Sequence, residues 1–235
     1  VRSRLSFGLP PIQTAAAKLA VALIVGSLIY AVAVPQLALN PGSVLRSFTL
    51  WQLISYAFVE TSPMGVIFGA LILWSIGGSL EQTWGARKLV TFALAVPVLA
   101  AVLTVLLSLL ITNLQGFVFG GGHVMTSALW VAFGLSWGNR QTGFWGMPVT
   151  GNVLALIGVG FVVLNAAFST WMVVVPDAFG IAMTFAFVKL NFPGGTLERF
   201  SSWRLRRQLD KRRSHLNVVS GDKRNTPNDS DRFLH

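Results

Sequence analysis

The chain has 235 residues, 53% hydrophobic and only 11% charged, with a mean hydropathy of +0.64 and a formal net charge of +10. Soluble globular domains carry about 25% charged residues, so this composition excludes an ordinary soluble domain and points to a membrane protein. There are no cysteines, and the three histidines, His123, His215 and His235, are scattered. That excludes disulfides, thiol catalysis and cysteine-based metal sites, and neither a metal nor another cofactor is expected.

Residues 1–13 read as a cytoplasmic N-terminal segment. The opening VRSRLSFGLP lacks a small-residue cleavage site after a short apolar core. The apolar run that follows is long enough to span, so it reads as an uncleaved first transmembrane helix rather than a signal peptide. A helix needs about 20 apolar residues to cross a bilayer, and six segments qualify: 14–34, 64–82, 88–112, 121–138, 149–168 and 171–190. The expected fold is all-α, a six-span helical bundle over residues 14–190, followed by a basic, partly disordered cytoplasmic tail over 191–235.

Orientation follows from the basic residues near helix ends. Arg2, Arg4 and Lys18 flank the first span, Arg87 and Lys88 lie between the second and third, and Arg140 lies between the fourth and fifth. The opposite side holds only Arg46. Both termini are therefore expected in the cytoplasm.

The first outer connection, 35–62, is the long one. Its core, LRSFTLWQLISYAFV, is too apolar for a solvent loop and too short to span. It is expected to lie in the outer interface, with Trp51 and Tyr56 at headgroup level; the competing reading is a loop packed on the bundle. In the tail, eleven of the 18 Lys and Arg fall between Lys189 and Arg232. Arg204, Arg206, Arg207, Lys211, Arg212 and Arg213 form its densest run, and basic residues near an anionic leaflet gain about 1 kcal/mol each. The expected partners there are the lipid bilayer and its anionic headgroups. No nucleic-acid motif or aromatic platform accompanies the charge, so nucleic acid is not expected.

Ionisable groups inside spans are costly and mark functional candidates. Asp177 lies about six residues into the sixth span, or roughly 9 Å at 1.5 Å per residue. Ser127 lies at a similar depth in the fourth span, and His123 sits on the same helical face one turn earlier. Glu81 closes the second span, where it is expected to cap the loop or pair with Arg87 or Lys88.

Three stretches, in this order and topology, carry a resemblance. LWQLISYAFVE (50–60) resembles a Trp-Arg first-loop motif, with Gln52 in place of the Arg. ALILWSIGGSLEQTWGARKLV (70–90) resembles a second span ending in a Glu-x-x-x-Gly turn, with Leu73, Trp74, Gly77, Glu81 and Gly85 in place. MTSALWVAFGL (125–135) resembles a Gly-x-Ser-Gly nucleophile motif. Over residues 14–190 the chain resembles the rhomboid superfamily of intramembrane serine proteases. The resemblance implies a six-span fold with Ser127 at the nucleophile position.

The departures fall where the chemistry belongs. Met125 and Ala128 replace the glycines flanking the nucleophile, and Asp177 stands where the family's catalytic His lies, three residues before Gly180. Gly65 and Gly69 stand at the positions of the family's oxyanion-binding His and Asn. A serine is a weak nucleophile without an adjacent base, and a carboxylate with a pKa near about 3.9 accepts a proton from an alcohol poorly at neutral pH. One rearrangement would restore the chemistry: His123 as base for Ser127, with Asp177 orienting the imidazole from across the bundle, because triads are recognised by geometry rather than order. In the plainer reading His123 is interfacial and Ser127 bonds a carbonyl of its own helix.

The expectation is thus a catalytically inactive rhomboid-like protein, a pseudoprotease with no intact catalytic set. Trp51, Gly65, Gly69, Ser127 and Asp177 would line an outer cleft for transmembrane segments of client proteins. The alternatives are an active intramembrane serine endopeptidase using Ser127, and a small channel or transporter. A bacterial inner membrane is the expected location.

Overall fold

The computed structural model describes residues 13–144 and 147–189, all within the first of two units into which the chain divides, Val1–Phe192 and Pro193–His235. The basic residues Arg204, Arg206, Arg207, Lys211, Arg212 and Arg213 lie outside the described residues.

The first helix, α1, runs Ala15–Val32 and buries Ala16, Leu19, Ala20, Leu23 and Ser27, the three-and-four spacing of one helical face. Thr14 caps it, its side chain accepting from the Ala17 N–H at 3.2 Å. The first connection holds α2 (Pro41–Ser47) and α3 (Gln52–Ser55). Asn40 caps α2 through the Ser43 N–H, and the Gln52 side chain accepts from the Asn40 N–H at 2.9 Å. A short bridge joins Leu39 to Phe119.

The connection therefore has its own small core, in which Leu39, Val44, Tyr56, Leu114 and Phe119 are buried. This corrects one expectation. Tyr56 is not at headgroup level; it is wholly buried, and its hydroxyl donates to the Pro97 carbonyl. A phenol with a buried acceptor gains more there than at an interface. Phe48, Leu50, Trp51 and Ile54 face outward from the same segment, so it packs on the bundle with one face and presents an apolar edge with the other.

The second span is interrupted. It begins as α4 (Pro63–Ile72), capped by Ser62 through the Gly65 N–H, passes through a π turn at Leu73–Gly77, and continues as α5 (Gly78–Trp84). Gly85, at φ +82°, makes the reversal into α6 (Ala86–Leu110); that conformation favours glycine. Glu81 does not pair with Arg87 or Lys88 as expected. Its two carboxylate oxygens accept the Ala15 and Ala16 N–H groups at 3.0 and 2.9 Å, satisfying donors that a helix N-terminus leaves open. Lys88 instead lies over the Trp84 ring, 5.1 Å from its centroid.

Next comes α7 (Gly121–Trp137), then a hairpin of β1 (Gln141–Phe144) and β2 (Met147–Thr150), paired antiparallel with Gln141 opposite Thr150. The chain continues through α8 (Gly151–Phe168) and α9 (Val175–Lys189). Five helical stretches among the described residues are long and apolar enough to cross a membrane: Ala15–Val32, Pro63–Trp84, Ala86–Leu110, Gly151–Phe168 and Trp171–Lys189. The expected sixth, α7, has 17 residues. At 1.5 Å per residue it is about 25 Å long, short of the roughly 30 Å hydrocarbon core. Val124, Met125, Ala128, Leu129, Val131 and Ala132 are all at most 1% exposed. With α8 and α9 packed against it, α7 meets protein rather than lipid along most of its length.

Small residues set the closest approaches, as expected where lipid removes the hydrophobic drive between helices. At Gly134 a Cβ would stand 2.4 Å from the Ala155 nitrogen, so α7 and α8 touch backbone to backbone.

Candidate functional site

The stretch FGGGHVMTSAL opens α7, and its glycines explain how His123 and Ser127 are placed. A Cβ at Gly121 would lie 2.6 Å from the Tyr56 ring. The Gly122 N–H donates to the Val59 carbonyl at 3.0 Å, and a Cβ there would meet the Leu23 side chain at 2.6 Å. The helix can therefore start directly on the first connection, with His123 facing α9 across the gap.

His123 Nδ1 lies 2.9 Å from Asp177 Oδ1, the one ion pair among the described residues. The histidine side chain is 38% exposed and the aspartate 6%. Ser127 Oγ donates to the Val124 carbonyl at 3.1 Å and faces the same Asp177 oxygen at 3.4 Å. Thr126 Oγ1 donates to the His123 carbonyl at 3.1 Å. The three candidate residues do meet, but not in the order of a Ser-His-Asp triad. A triad needs the imidazole between the hydroxyl and the carboxylate. Here the carboxylate stands between, and no hydrogen bond joins Ser127 to His123 among the described residues. The hydroxyl proton is directed to a carbonyl and a carboxylate, neither a competent base for an alcohol at neutral pH.

A cavity of about 590 Å³ opens between α4 and α8 with α7 as its floor. Gly65, Gly69, His123, Thr126 and Ser127 line it. Two expected cleft residues do not. Asp177 is buried between His123 and Ser127 and does not line it, and Trp51 is on the outward edge of the first connection, 53% exposed. The remaining walls are mostly apolar, with Phe68 from α4, Trp130 from α7 and Phe161, Leu164 and Phe168 from α8, and Asn165 of α8 adds one amide.

Glu60 lines the cavity too, only 8% exposed, and the sequence reading missed it. Its backbone N–H donates to Ser27 Oγ at 2.9 Å, and Oε1 accepts from the Thr61 N–H at 3.1 Å. Gly65 leaves room for it: a Cβ there would lie 2.6 Å from the Glu60 carboxyl carbon. Burial pushes the Glu60 carboxyl above its usual range, against the opposing pull of His123. The available signal was a lone carboxylate closing an apolar run just before the Ser62–Pro63 helix start.

No group of three or more potential metal ligands occurs among the described residues. Residues 17–201 match the family described as "Eukaryotic integral membrane protein (DUF1751)". The chain belongs to this family. The match runs from the first turn of α1 past the end of α9, so the spans belong to an integral membrane protein. The family's eukaryotic description overturns the expectation of a bacterial inner membrane; composition and positive-side charge orient a chain in a bilayer but carry no mark of whose bilayer it is.

Proposed function

We propose that this member of the eukaryotic integral membrane family is a rhomboid-like protein without protease activity, which receives transmembrane segments of client proteins in the cleft between α4 and α8. The observation that carries the reading is the order Ser127–Asp177–His123, with one carboxylate oxygen contacted from both sides. It leaves the serine without a base. Glycines at 65 and 69 supply no side-chain donor for an oxyanion, and losing one such donor costs about 10²–10³ in rate. What remains is a mostly apolar cavity of about 590 Å³ between α4 and α8. In this reading the basic tail at Arg204, Arg206, Arg207, Lys211, Arg212 and Arg213 holds an anionic cytoplasmic leaflet.

Two measurements on the full chain in membranes test this. A fluorophosphonate probe should leave the protein unlabelled, and a photoreactive residue at Phe161 should crosslink to single-span partners. Labelling that disappears in Ser127→Ala would establish the serine endopeptidase instead.

A further inference from the structure

We infer that the cleft selects transmembrane segments carrying one basic side chain, with Glu60 as the counter-charge. The inference rests on the client-binding reading and names the chemistry of the client.

Glu60 is more than nine-tenths buried and opens onto the cavity. The backbone N–H groups of its chain neighbours Thr61 and Ser62 bond to the carboxylate, that of Thr61 to Oε1 at 3.1 Å. No Lys or Arg pairs with it among the described residues; the single ion pair there is His123 with Asp177. The charged and titratable groups around it are His123 from α7 and, behind that, Asp177 from α9, while α4 and α8 contribute none to the cavity. Two carboxylates thus face one imidazole. With both carboxylates ionised, even a protonated imidazole would leave one negative charge without a counter-ion.

A buried carboxylate lacking a cation is costly, and a cation brought by a ligand removes that cost. The walls select the kind of cation. From Met64 to Ile72 the cavity follows α4 for nine residues, a rise of about 12 Å or two helical turns. Phe68, Phe161 and Leu164 give an apolar track along it. A helix in the bilayer fits this: apolar side chains lie on the track, and a lysine or arginine stem runs along apolar surface to place its charged head at Glu60. Intramembrane basic residues are rare and need a partner of this kind. Gly65 belongs to the same device, since any side chain there would occupy the carboxylate's place.

The test uses the full chain in membranes, with a photoreactive residue at Phe161 and two single-span test helices. One has a leucine core; the other carries a lysine near the end that meets the first connection. Wild type should crosslink the lysine helix about tenfold more than the leucine helix, the order expected for pairing a buried charge. In Glu60→Gln the lysine yield should fall to the leucine level, and Glu60→Asp, which keeps the charge, should retain a preference. Equal yields for both helices with wild type overturn the inference and leave client binding standing. Loss of the preference in Glu60→Asp as well as Glu60→Gln also overturns it, assigning Glu60 to the shape of the site. If neither helix crosslinks, the client-binding reading itself fails.

Discussion

Asp177 on α9 holds the His123 imidazole of α7 at 2.9 Å, across 54 residues of sequence. The same oxygen is 3.4 Å from Ser127 Oγ, so one buried carboxylate joins two polar groups of a neighbouring helix. Removing one member of such a pair leaves the other uncompensated. Asp177→Ala should destabilise the protein by about 1.5–3 kcal/mol, the range for hydrogen bonds to a charged group, and Asp177→Asn, which can still bond to the imidazole, by less. Thermal unfolding in detergent, followed by tryptophan fluorescence, measures both.

Glu81 offers a test away from the cleft. Its carboxylate accepts two N–H groups at the start of α1, and hydrogen bonds to a charged group are worth about 1.5–3 kcal/mol. Glu81→Ala should lower stability by an amount in that range. Glu81→Gln keeps one accepting oxygen and should fall between. Hydrogen exchange at Ala15 and Ala16 should quicken in the alanine variant; unchanged exchange there would refute the capping role.

The pH dependence of stability should bear the mark of Glu60. Burial raises its folded-state pKa above that of the unfolded chain, so the folded protein binds this proton more tightly. The resulting stabilisation is fully present below the ordinary carboxylate pKa of about 4.3 and is lost as pH rises through the raised folded value. His123 and Asp177 lie nearby, so the quantity to measure is the difference from Glu60→Gln. The melting temperature of wild type should fall relative to that variant as pH is raised from about 4 towards neutrality. A parallel pair of curves would refute it.

Gly134 tests the packing of α7 on α8. A Cβ there meets backbone atoms, the Ala155 nitrogen at 2.4 Å and the Gly151 carbonyl oxygen at 2.5 Å, which cannot move aside as a side chain can. Gly134→Ala should cost about 1–3 kcal/mol, the range for overpacking. The same change at Gly116, with nothing within 4 Å, should not incur this packing cost. Unfolding of the two variants in parallel gives the comparison.

Apolar run lengths located every long helix among the described residues, because the requirement for about 20 apolar residues is local and written in composition. Gly85 could be read as a turn for a similarly local reason. The partners could not be read. Glu81 was placed at a helix end, but nothing near it in sequence points to Ala15 and Ala16. His123, Ser127 and Asp177 are legible as a group, while their order depends on whether the Asp177 carboxylate or the imidazole stands between the other two, a matter of a few ångströms. Glu60 was missed because the first connection was read as an interfacial segment, and packing buried its end. Tyr56 was misplaced for the same reason: an aromatic with a hydroxyl suits both an interface and a core with a waiting acceptor.

The π turn at Leu73–Gly77 has one further result. Successive residues of an α-helix advance about 100° around its axis. Glu81 is twelve positions after Gly69, so an unbroken helix would set them about 120° apart. A π turn absorbs one residue, and the offset shrinks to about 20°. Both then point at α1: a Cβ on Gly69 would lie 2.9 Å from the Leu23 side chain, and Glu81 grips the first turn. The irregularity works as a phase correction. It lets one helix keep the same neighbour along its whole length, with a glycine contact at one level and a carboxylate clamp at the other.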